Sequence, residues 1–336
     1  MSQTKREIEA VLAAAGTLPK HRFGQNFMID QNLVRLVADA GRIVSGDCVI
    51  EVGPGTGTLT EELLSRGASV IAVEIDRDLA GALRTRLGGE SRFQLIEGDA
   101  LASKHSINPE LLAAIQQGQQ ADPANPVKLV ANLPYNIASP LVIELLLAGV
   151  ELLAFTVQKE VADRLKAGAG DDAYGPLSVV AQLLGDVEVI RTLPPQAFWP
   201  APKIESALVR IVRTPCPGTP GEGGGEGSRG GPDGVAGDDE LNEERHHKLP
   251  RLIRHENPHP NPLPAYRARE LGAFVQAVFG YRRKTLRKAL SQAGYDAAPI
   301  LEKTAFDGQR RPEEFTPAQF EAMFAVILAA ANPPRR

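Results

Sequence analysis

The residues best suited to chemistry in this chain are Asn132, Leu133, Pro134 and Tyr135, which follow the strand-like run 128–131. The Asn132 side-chain oxygen and the Leu133 carbonyl can each accept one N–H from an aromatic amine, which draws the nitrogen lone pair out of conjugation. Pro134 restricts φ and offers no competing N–H. Tyr135 presents a flat face to an unstacked base, a contact of roughly 1–3 kcal/mol. The motif therefore predicts delivery of a base amine to a methyl donor.

A glycine-rich turn upstream predicts a ligand site at the end of a strand. Residues 47–52 read as a short buried strand, residues 53–57 are Gly-Pro-Gly-Thr-Gly, and a helical pattern follows. This order opens a doubly wound α/β sheet. The glycine spacing differs from the dinucleotide fingerprint, and Pro54 would obstruct an N–H nest for a pyrophosphate. The turn therefore favours S-adenosylmethionine over NAD, with Gly53 and Gly55 close to the ligand, although a tight turn without a ligand is the alternative.

Two acidic residues end the next two strand-like runs. The run 69–73 ends at Glu74, and the run 93–96 is followed by Asp99. In this position Glu74 can accept both ribose hydroxyls of the cofactor, and Asp99 can accept from its adenine amine. Each acid alone could instead cap a helix, and Asn-Leu-Pro-Tyr alone could be a strand-to-turn junction. The succession of four strands that end in glycine, Glu, Asp and Asn favours a binding site over these alternatives.

Five segments together resemble the ribosomal RNA adenine N6,N6-dimethyltransferases, and most closely the bacterial small-subunit members of that family. The segments are residues 22–27, 51–57, 132–135, 158–162 and 198–206. The likeness covers residues 20–213 and resumes near residue 266. The resemblance implies a set of cofactor contacts, with a Met where the family usually has Leu: Asn26, Met28, Gly53, Glu74, Asp99 and Asn132.

The same resemblance implies a reaction and a substrate. Methyl would pass directly from S-adenosylmethionine to N6 of two adjacent adenosines near the 3′ end of small-subunit (16S) rRNA, within the immature 30S particle. We expect no metal and no covalent enzyme intermediate, and the amine proton would leave to water because Asn132 cannot act as a base. Phe198 is expected to stack with Tyr135 on the extruded base. Core packing is the alternative for Phe198, and it is also open for Phe23 and Phe27.

A central segment, residues 214–264, differs in composition from the rest of the chain. It contains 10 Gly and 9 Pro among 51 residues and no Phe, Trp or Tyr, which predicts a disordered insertion. Nine acidic and five basic residues give it a net charge of −4, which equals that of the whole chain. The remaining regions can therefore be locally basic and bind RNA. A tolerated surface insertion and a regulatory arm are both open interpretations.

The C-terminal pattern is helical and includes a basic run. Apolar residues recur at helical spacing over 268–279, and a second helix is predicted over 316–328 with Thr316 as its N-cap. Between these helices lie five residues predicted to contact RNA phosphates, on what we take to be a basic helix: Arg282, Arg283, Lys284, Arg287 and Lys288. A solvated helix face is the alternative, and the family's similar Arg-Arg-Lys-Thr-Leu segment favours RNA contact.

These patterns predict an α/β fold: a Rossmann-like S-adenosylmethionine-dependent methyltransferase sheet with a small all-helical C-terminal domain. The methyltransferase domain would span residues 1–213, the insertion 214–264 and the RNA-recognition domain 265–336. The resemblance implies that an antiparallel strand over 206–213 completes the sheet.

Cysteine content and hydropathy indicate the cellular context. The two cysteines, Cys48 and Cys216, form neither a disulfide framework nor a metal site. No apolar run reaches the length of a membrane span, and the patch 11–15 is too short for a signal sequence. We expect a cytoplasmic monomer without a membrane partner. Two other functions remain: a large-subunit rRNA methyltransferase of the macrolide-resistance type, or a non-catalytic small-subunit assembly factor.

Overall fold

A computed structural model describes residues 3–122, 125–214 and 265–331. The strands are β1 Phe27–Met28, β2 Cys48–Val52, β3 Ser69–Glu74, β4 Phe93–Glu97, β5 Leu101–Ser103, β6 Ser106–Ile107, β7 Lys128–Asn132, β8 Leu152–Gln158, β9 Gly185–Leu193, β10 Phe198–Trp199 and β11 Ser206–Arg213. The helices are α1 Lys5–Ala14, α2 Gln31–Ala40, α3 Thr58–Ser65, α4 Arg77–Leu87, α5 Pro109–Ala121, α6 Ala138–Leu147, α7 Lys159–Lys166, α8 Pro176–Leu184, α9 Ala265–Phe279, α10 Leu286–Gln292, α11 Ala297–Thr304 and α12 Pro317–Ala331.

Seven strands form one mixed sheet in the order β4-β3-β2-β7-β8-β11-β9. The first five strands in this order run parallel. The chain moves outward from β2 through β3 to β4 and then returns to the other side of β2 as β7. Ligands bind α/β sheets at such a reversal, beside the carboxyl ends of the strands. The predicted Rossmann-like α/β methyltransferase fold is confirmed, and its reversal point lies between β2 and β7.

The antiparallel end of the sheet is larger than the sequence predicted. Residues 206–213 form β11 as expected, but β11 pairs with both β8 and β9. The edge strand is therefore β9. Along it only Gly185, Val187 and Leu193 are buried, because one side of an edge strand faces solvent. Its weak apolar pattern explains why the sequence did not predict it.

Hydrophobic clusters cover both faces of the sheet. Successive side chains of a strand point to opposite faces, and in β7 Leu129 belongs to one cluster while Val130 belongs to the other. Both side chains are fully buried. Burial on both faces explains why β7 reads as an almost continuous apolar run, as is usual for a central parallel strand.

The C-terminal helices share a third core with α8. Tyr174 and Val179 pack in one cluster with Phe274 and Phe320. The Tyr174 hydroxyl donates to the Phe315 carbonyl at 2.8 Å. This core contains side chains from both sides of the predicted boundary at 213 and 265. The helical C-terminal region is present, while the division into two domains stays a prediction.

The predicted helix over 316–328 is observed as α12. Thr316 caps it, since its hydroxyl accepts from the Gln319 N–H at 3.3 Å and its own N–H donates to the Gln319 side chain at 2.9 Å. The predicted disordered insertion, residues 214–264, lies outside the described residues except for Thr214. Of the helices described above, none combines the length and apolar character that a bilayer crossing needs.

Candidate active site

The glycine turn after β2 and the Asn-Leu-Pro-Tyr motif after β7 meet at the reversal point. Gly53 has a φ of +73°, and a Cβ at this position would lie 3.2 Å from the Pro134 ring. Gly55 has a φ of +60°, and its Cβ would lie 2.8 Å from the Phe27 ring. Glycine adopts positive φ at no steric cost, and here a side chain would also press against the Pro134 or Phe27 ring. The turn therefore passes closely beneath its neighbours, as a ligand-binding loop must.

A pocket opens above this turn at the carboxyl edge of the sheet. All the residues predicted to bind the cofactor line it, together with three residues of the proposed transfer motif: Asn26, Met28, Gly53, Gly55, Glu74, Asp99, Asn132, Leu133, Pro134 and Tyr135. These residues are distributed from position 26 to position 135. The parallel topology brings the residues at or just after the ends of β2, β3, β4 and β7 together, because these strands end at the same edge, and the β1 segment adds Asn26 and Met28.

Two hydrogen bonds orient the Asn132 amide. Its Nδ2 donates to the Asn26 backbone carbonyl at 2.7 Å, and its Oδ1 accepts from the Thr156 hydroxyl. A carbonyl can only accept, so Asn26 determines which end of the amide faces it. The Oδ1 atom retains a second lone pair for a ligand. Thr156 could not be selected from its sequence pattern, because a Thr in a buried strand is an ordinary β-sheet residue.

The Tyr135 ring is anchored at its hydroxyl. This oxygen lies 2.7 Å from Oγ of Ser206, the fully buried first residue of β11. Burial raises the pKa of Tyr135, and the bond to Ser206 only partly opposes this effect. The phenol is therefore neutral at physiological pH. The antiparallel strand β11 therefore helps to position the ring, and Ser206 was not among the site residues predicted from the sequence.

Glu74 supports the glycine turn and lines the pocket. One carboxylate oxygen accepts from the Gly55 N–H at 3.0 Å, and the other accepts from the Asp76 N–H at 2.9 Å. Burial raises the pKa of Glu74, while these backbone bonds oppose the increase. Each oxygen keeps lone-pair capacity for a hydroxyl donor. The helix cap at this position is Asp76, which accepts from the Asp78 N–H, so Glu74 itself is not a cap.

Asp99 lies at the exposed rim of the pocket. Its Oδ1 accepts from the Leu101 N–H at 3.0 Å, and its backbone carbonyl accepts from the Asn108 side chain at 2.9 Å. These bonds hold a turn after β4 rather than capping a helix. The second carboxylate oxygen, Oδ2, is the one available to an amine of a ligand.

The structure contradicts the prediction for Phe198. Phe198 is 2% exposed and belongs to the core cluster that also contains Met28. It pairs with Met28 across β1 and β10, and it is not among the residues that line the pocket. Core packing is therefore the correct interpretation in this structure. Phe27 is also buried and stacks on Trp199, with ring centroids 6.4 Å apart. Both Phe27 and the half-buried Phe23 line the pocket.

The basic run is a turn followed by the start of a helix, not the single helix that we predicted. Arg282, Arg283 and Lys284 lie in the turn after α9, where the Lys284 N–H donates to the Tyr281 carbonyl at 2.8 Å. The other two residues, Arg287 and Lys288, lie in the first turn of α10. All five side chains are exposed, and none forms an ion pair with an acid in the described parts of the chain. We call these five residues the basic turn.

Glu51 is a buried carboxyl directly before the glycine turn. It is 2% exposed, and Oε2 accepts from the Thr60 hydroxyl at 2.6 Å. Burial, with a smaller contribution from the nearby charge of Glu74, raises the pKa of Glu51 from 4.5 to about 8, although the Thr60 bond opposes the increase. Glu51 is therefore largely protonated at neutral pH in the folded protein.

Replacement of Glu51 by Gln should stabilise the protein more at pH 8 than at pH 5. The pKa of Glu51 rises on folding from 4.5 to about 8. Its contribution to the free energy of unfolding is therefore fully present below pH 4.5 and is lost as the pH rises to about 8. Gln keeps an acceptor for Thr60 and cannot ionise. We expect a gain in Tm on the order of several degrees at pH 8. Calorimetry at both pH values would test this, with the exposed Glu151→Gln as control, and equal shifts at both pH values would contradict it.

The Glu74→Ala variant should lose affinity for S-adenosylmethionine by at least the equivalent of one charge-assisted hydrogen bond, on the order of 10- to 100-fold, since such a bond contributes roughly 1.5–3 kcal/mol. RNA affinity should stay unchanged, because this buried carboxylate can reach only the cofactor. Calorimetric titration with the cofactor and a separate RNA-binding assay measure the two effects. The control is Glu97→Ala, at the end of the neighbouring β4. A melting curve is also needed because Glu74 supports Gly55, and unchanged cofactor affinity would leave Glu74 with a structural role only.

Comparison with known proteins identifies relatives that match most of the chain. Residues 17–220 match the model of the family described as ribosomal RNA adenine dimethylase. The chain is 34% identical over 305 residues to ribosomal RNA small subunit methyltransferase A of Methylococcus capsulatus, which covers 90% of this chain and 95% of the relative. The protein of the same name from Magnetococcus marinus is 36% identical over 329 residues, which cover 97% and 98% of the two chains.

Two solved structures share the fold at lower sequence identity. A dimethyladenosine transferase from Plasmodium falciparum has a TM-score of 0.60 at 19% identity and covers 88% of this chain and 95% of its own. The 23S rRNA methyltransferase ErmE has a TM-score of 0.55 at 21% identity, with 90% and 99% covered. These two structures show only that the fold is shared. The family model and the sequence relatives show that this chain belongs to the ribosomal RNA adenine dimethylase family.

Proposed function

We propose that this chain dimethylates N6 of two adjacent adenosines near the 3′ end of 16S rRNA, with S-adenosylmethionine as the methyl donor. The observation that carries the proposal is the Asn132 amide, which is held at the pocket with Oδ1 as an acceptor. Family membership makes the chain an rRNA adenine dimethyltransferase. Relatives that cover almost the whole chain are named for the small subunit, which supports small-subunit rRNA as the substrate.

The pocket residues fit S-adenosylmethionine, which supplies an electrophilic methyl on a sulfonium centre. Gly53 and Gly55 line the pocket without side chains, so the main chain of the turn can approach a ligand closely. Glu74 offers two adjacent carboxylate oxygens to a pair of ribose hydroxyls, and Asp99 offers Oδ2 to the adenine amine. Asn26 and Met28 complete the proposed cofactor contacts at the pocket wall.

Asn132 and Leu133 orient the adenosine amine. An N6 lone pair is delocalised into the purine ring and attacks poorly until the nitrogen becomes pyramidal. Acceptance of one N–H by Asn132 Oδ1 and the other by the Leu133 carbonyl favours that geometry. Leu133 is 1% exposed as a whole residue and its side chain belongs to the core, so the proposal assigns the acceptor role to its main-chain carbonyl. The proton leaves to water after the transfer, because the amine becomes acidic once it carries the methyl.

Tyr135 holds the extruded base by stacking. Its hydroxyl is anchored to Ser206, so the ring loses little further freedom when a base binds. Pro134, which packs on Gly53, keeps the loop close to the cofactor turn. An adenosine in a duplex cannot reach this pocket, so the enzyme acts on an unpaired or flipped nucleotide.

The proposed partner is the immature 30S particle, and the proposed contact is the basic turn. Its five exposed cations lack acidic partners in the described residues and are suited to rRNA phosphates. We further propose that the protein acts as a monomer in the cytoplasm, where small subunits assemble.

Methylation of purified particles tests the proposed function. Immature 30S and 50S particles would be incubated with the protein and labelled S-adenosylmethionine, and the 3′ fragment of 16S rRNA analysed by mass spectrometry. We expect N6,N6-dimethyladenosine in that fragment. Label in large-subunit RNA alone would favour the macrolide-resistance type of enzyme. Binding to the 30S particle without methylation would favour a non-catalytic assembly factor.

A further inference from the structure

The hydroxyl of Thr156 is a buried polar group in an apolar part of β8. Its residue is 0% exposed, and its neighbours Phe155 and Val157 are fully buried as well. Thr156 lies directly opposite Asn132 in the pairing of β7 with β8, and its hydroxyl donates to Asn132 Oδ1. Burial of a hydroxyl costs free energy unless it forms a hydrogen bond. The partner of the Thr156 hydroxyl is the Asn132 amide, which links this buried group to the proposed site.

The two bonds on the Asn132 amide act at opposite ends of the group. The Asn26 carbonyl holds Nδ2 at 2.7 Å, and Thr156 holds Oδ1. The terminal torsion of an Asn side chain has a broad energy profile, so one bond would leave the amide plane free to rock. Two hydrogen bonds at opposite ends restrict rotation of the Asn132 amide plane. The remaining lone pair of Oδ1 therefore points in one fixed direction.

We propose that Thr156 is a positioning residue for the methyl transfer, which holds Asn132 Oδ1 in line with the adenosine amine. The inference rests on the proposed function and adds a residue that touches neither the cofactor nor the base. The Thr156 hydroxyl also occupies one of the two lone pairs of Oδ1, so the amide is left with one acceptor position. The second N–H of the amine then goes to the Leu133 carbonyl, and the two acceptors do not compete.

Single-turnover methylation with excess enzyme tests this role through matched variants. Thr156→Ala and Thr156→Ser both remove the side-chain methyl group of Thr156, but only Ser keeps the hydroxyl. Their comparison therefore separates the hydrogen bond to Asn132 from the packing of the side chain. We expect Thr156→Ala to transfer methyl on the order of 10- to 100-fold more slowly than wild type, since small losses of alignment have effects of that size. Thr156→Ser should stay within about threefold of wild type, and affinity for S-adenosylmethionine should not differ between the two variants. Equal rates for Ala and Ser would overturn the proposal.

A double-mutant cycle separates positioning from a general structural role. If Thr156 acts through Asn132, Thr156→Ala should slow an Asn132→Ala enzyme by less than about threefold, because the group that it orients is already gone. The same fold loss in both backgrounds would show that Thr156 acts independently and would overturn the inference.

A spectroscopic readout distinguishes failure of this inference from failure of the proposed function. With selective ¹⁵N labelling of asparagine, the Asn132 side-chain signal is identified by its loss in Asn132→Ala. Its chemical shift should be preserved in Thr156→Ser and changed in Thr156→Ala, whatever RNA the enzyme methylates. An unchanged signal in Thr156→Ala would overturn the positioning role, while absence of methylation by the wild-type protein would overturn the proposed function.

Discussion

The Asn132→Ala variant should transfer methyl on the order of 10²–10³-fold more slowly than the wild-type enzyme, by analogy with the loss of one preorganised transition-state hydrogen bond. Alanine removes the acceptor that Thr156 and Asn26 hold at the pocket. The Leu133 carbonyl would then be the remaining proposed acceptor, and the amine lone pair would stay more delocalised in the purine ring. Cofactor affinity should fall as well, because Asn132 also lines the cofactor part of the pocket.

Single-turnover methylation at saturating cofactor isolates the chemical step for this variant. Asn136→Ala is a suitable control, because Asn136 follows the same motif, lines the same pocket and is exposed. We expect the control to react at nearly the wild-type rate. A rate for Asn132→Ala within about threefold of wild type would remove Asn132 from the proposed mechanism.

The position of the cofactor site could be predicted from the sequence because of the geometry of parallel strands. Gly53, Glu74, Asp99 and Asn132 each follow an apolar run, and parallel strands place all their carboxyl ends at one edge of the sheet. The order of the runs therefore indicated which residues would meet, without knowledge of side-chain conformations. The same reasoning predicted the fold.

The groups that orient the proposed site could not be predicted in this way. Thr156 reaches Asn132 across 24 positions, and Ser206 reaches Tyr135 across 71. Both contacts depend on the register of particular strand pairs, which apolar periodicity does not determine. The error for Phe198 has a related cause, since an aromatic residue before a Pro-rich turn has the same sequence pattern whether it faces a pocket or the core.

The basic turn is connected to the methyltransferase fold through a continuous core. Tyr174, just before α8, packs against Phe279 at the end of α9, and Arg282 begins the basic turn three residues later. Glu144 on α6, which is 4% exposed, also pairs with Arg269 on α9 at 2.8 Å. The cations are thus held at a definite place relative to the pocket, and we expect them to position the RNA particle without taking part in the chemistry.

Replacement of Arg282, Arg283 and Lys284 together by Ala should weaken binding of immature small subunits on the order of 10²-fold at about 0.1 M salt, if each cation contacts one phosphate. The slope of log affinity against log salt concentration should become less steep by about 2, because binding with fewer phosphate contacts releases fewer counterions. The apparent KM for the particle should rise accordingly. The kcat and the affinity for S-adenosylmethionine should stay close to wild type, since the substituted residues are absent from the pocket lining.

Affinity for the particle across a salt series measures this effect, and a dispersed triple variant controls for net charge. Arg6, Arg35 and Lys303 are exposed on three different helices, so their replacement by Ala removes the same charge without removing a cluster. Phosphate contacts require cations at defined positions, whereas long-range attraction depends mainly on total charge. We therefore expect the dispersed variant to keep a slope near that of wild type. If the two triple variants lose affinity and slope equally, the basic turn is only a solvated surface and the RNA contact lies elsewhere.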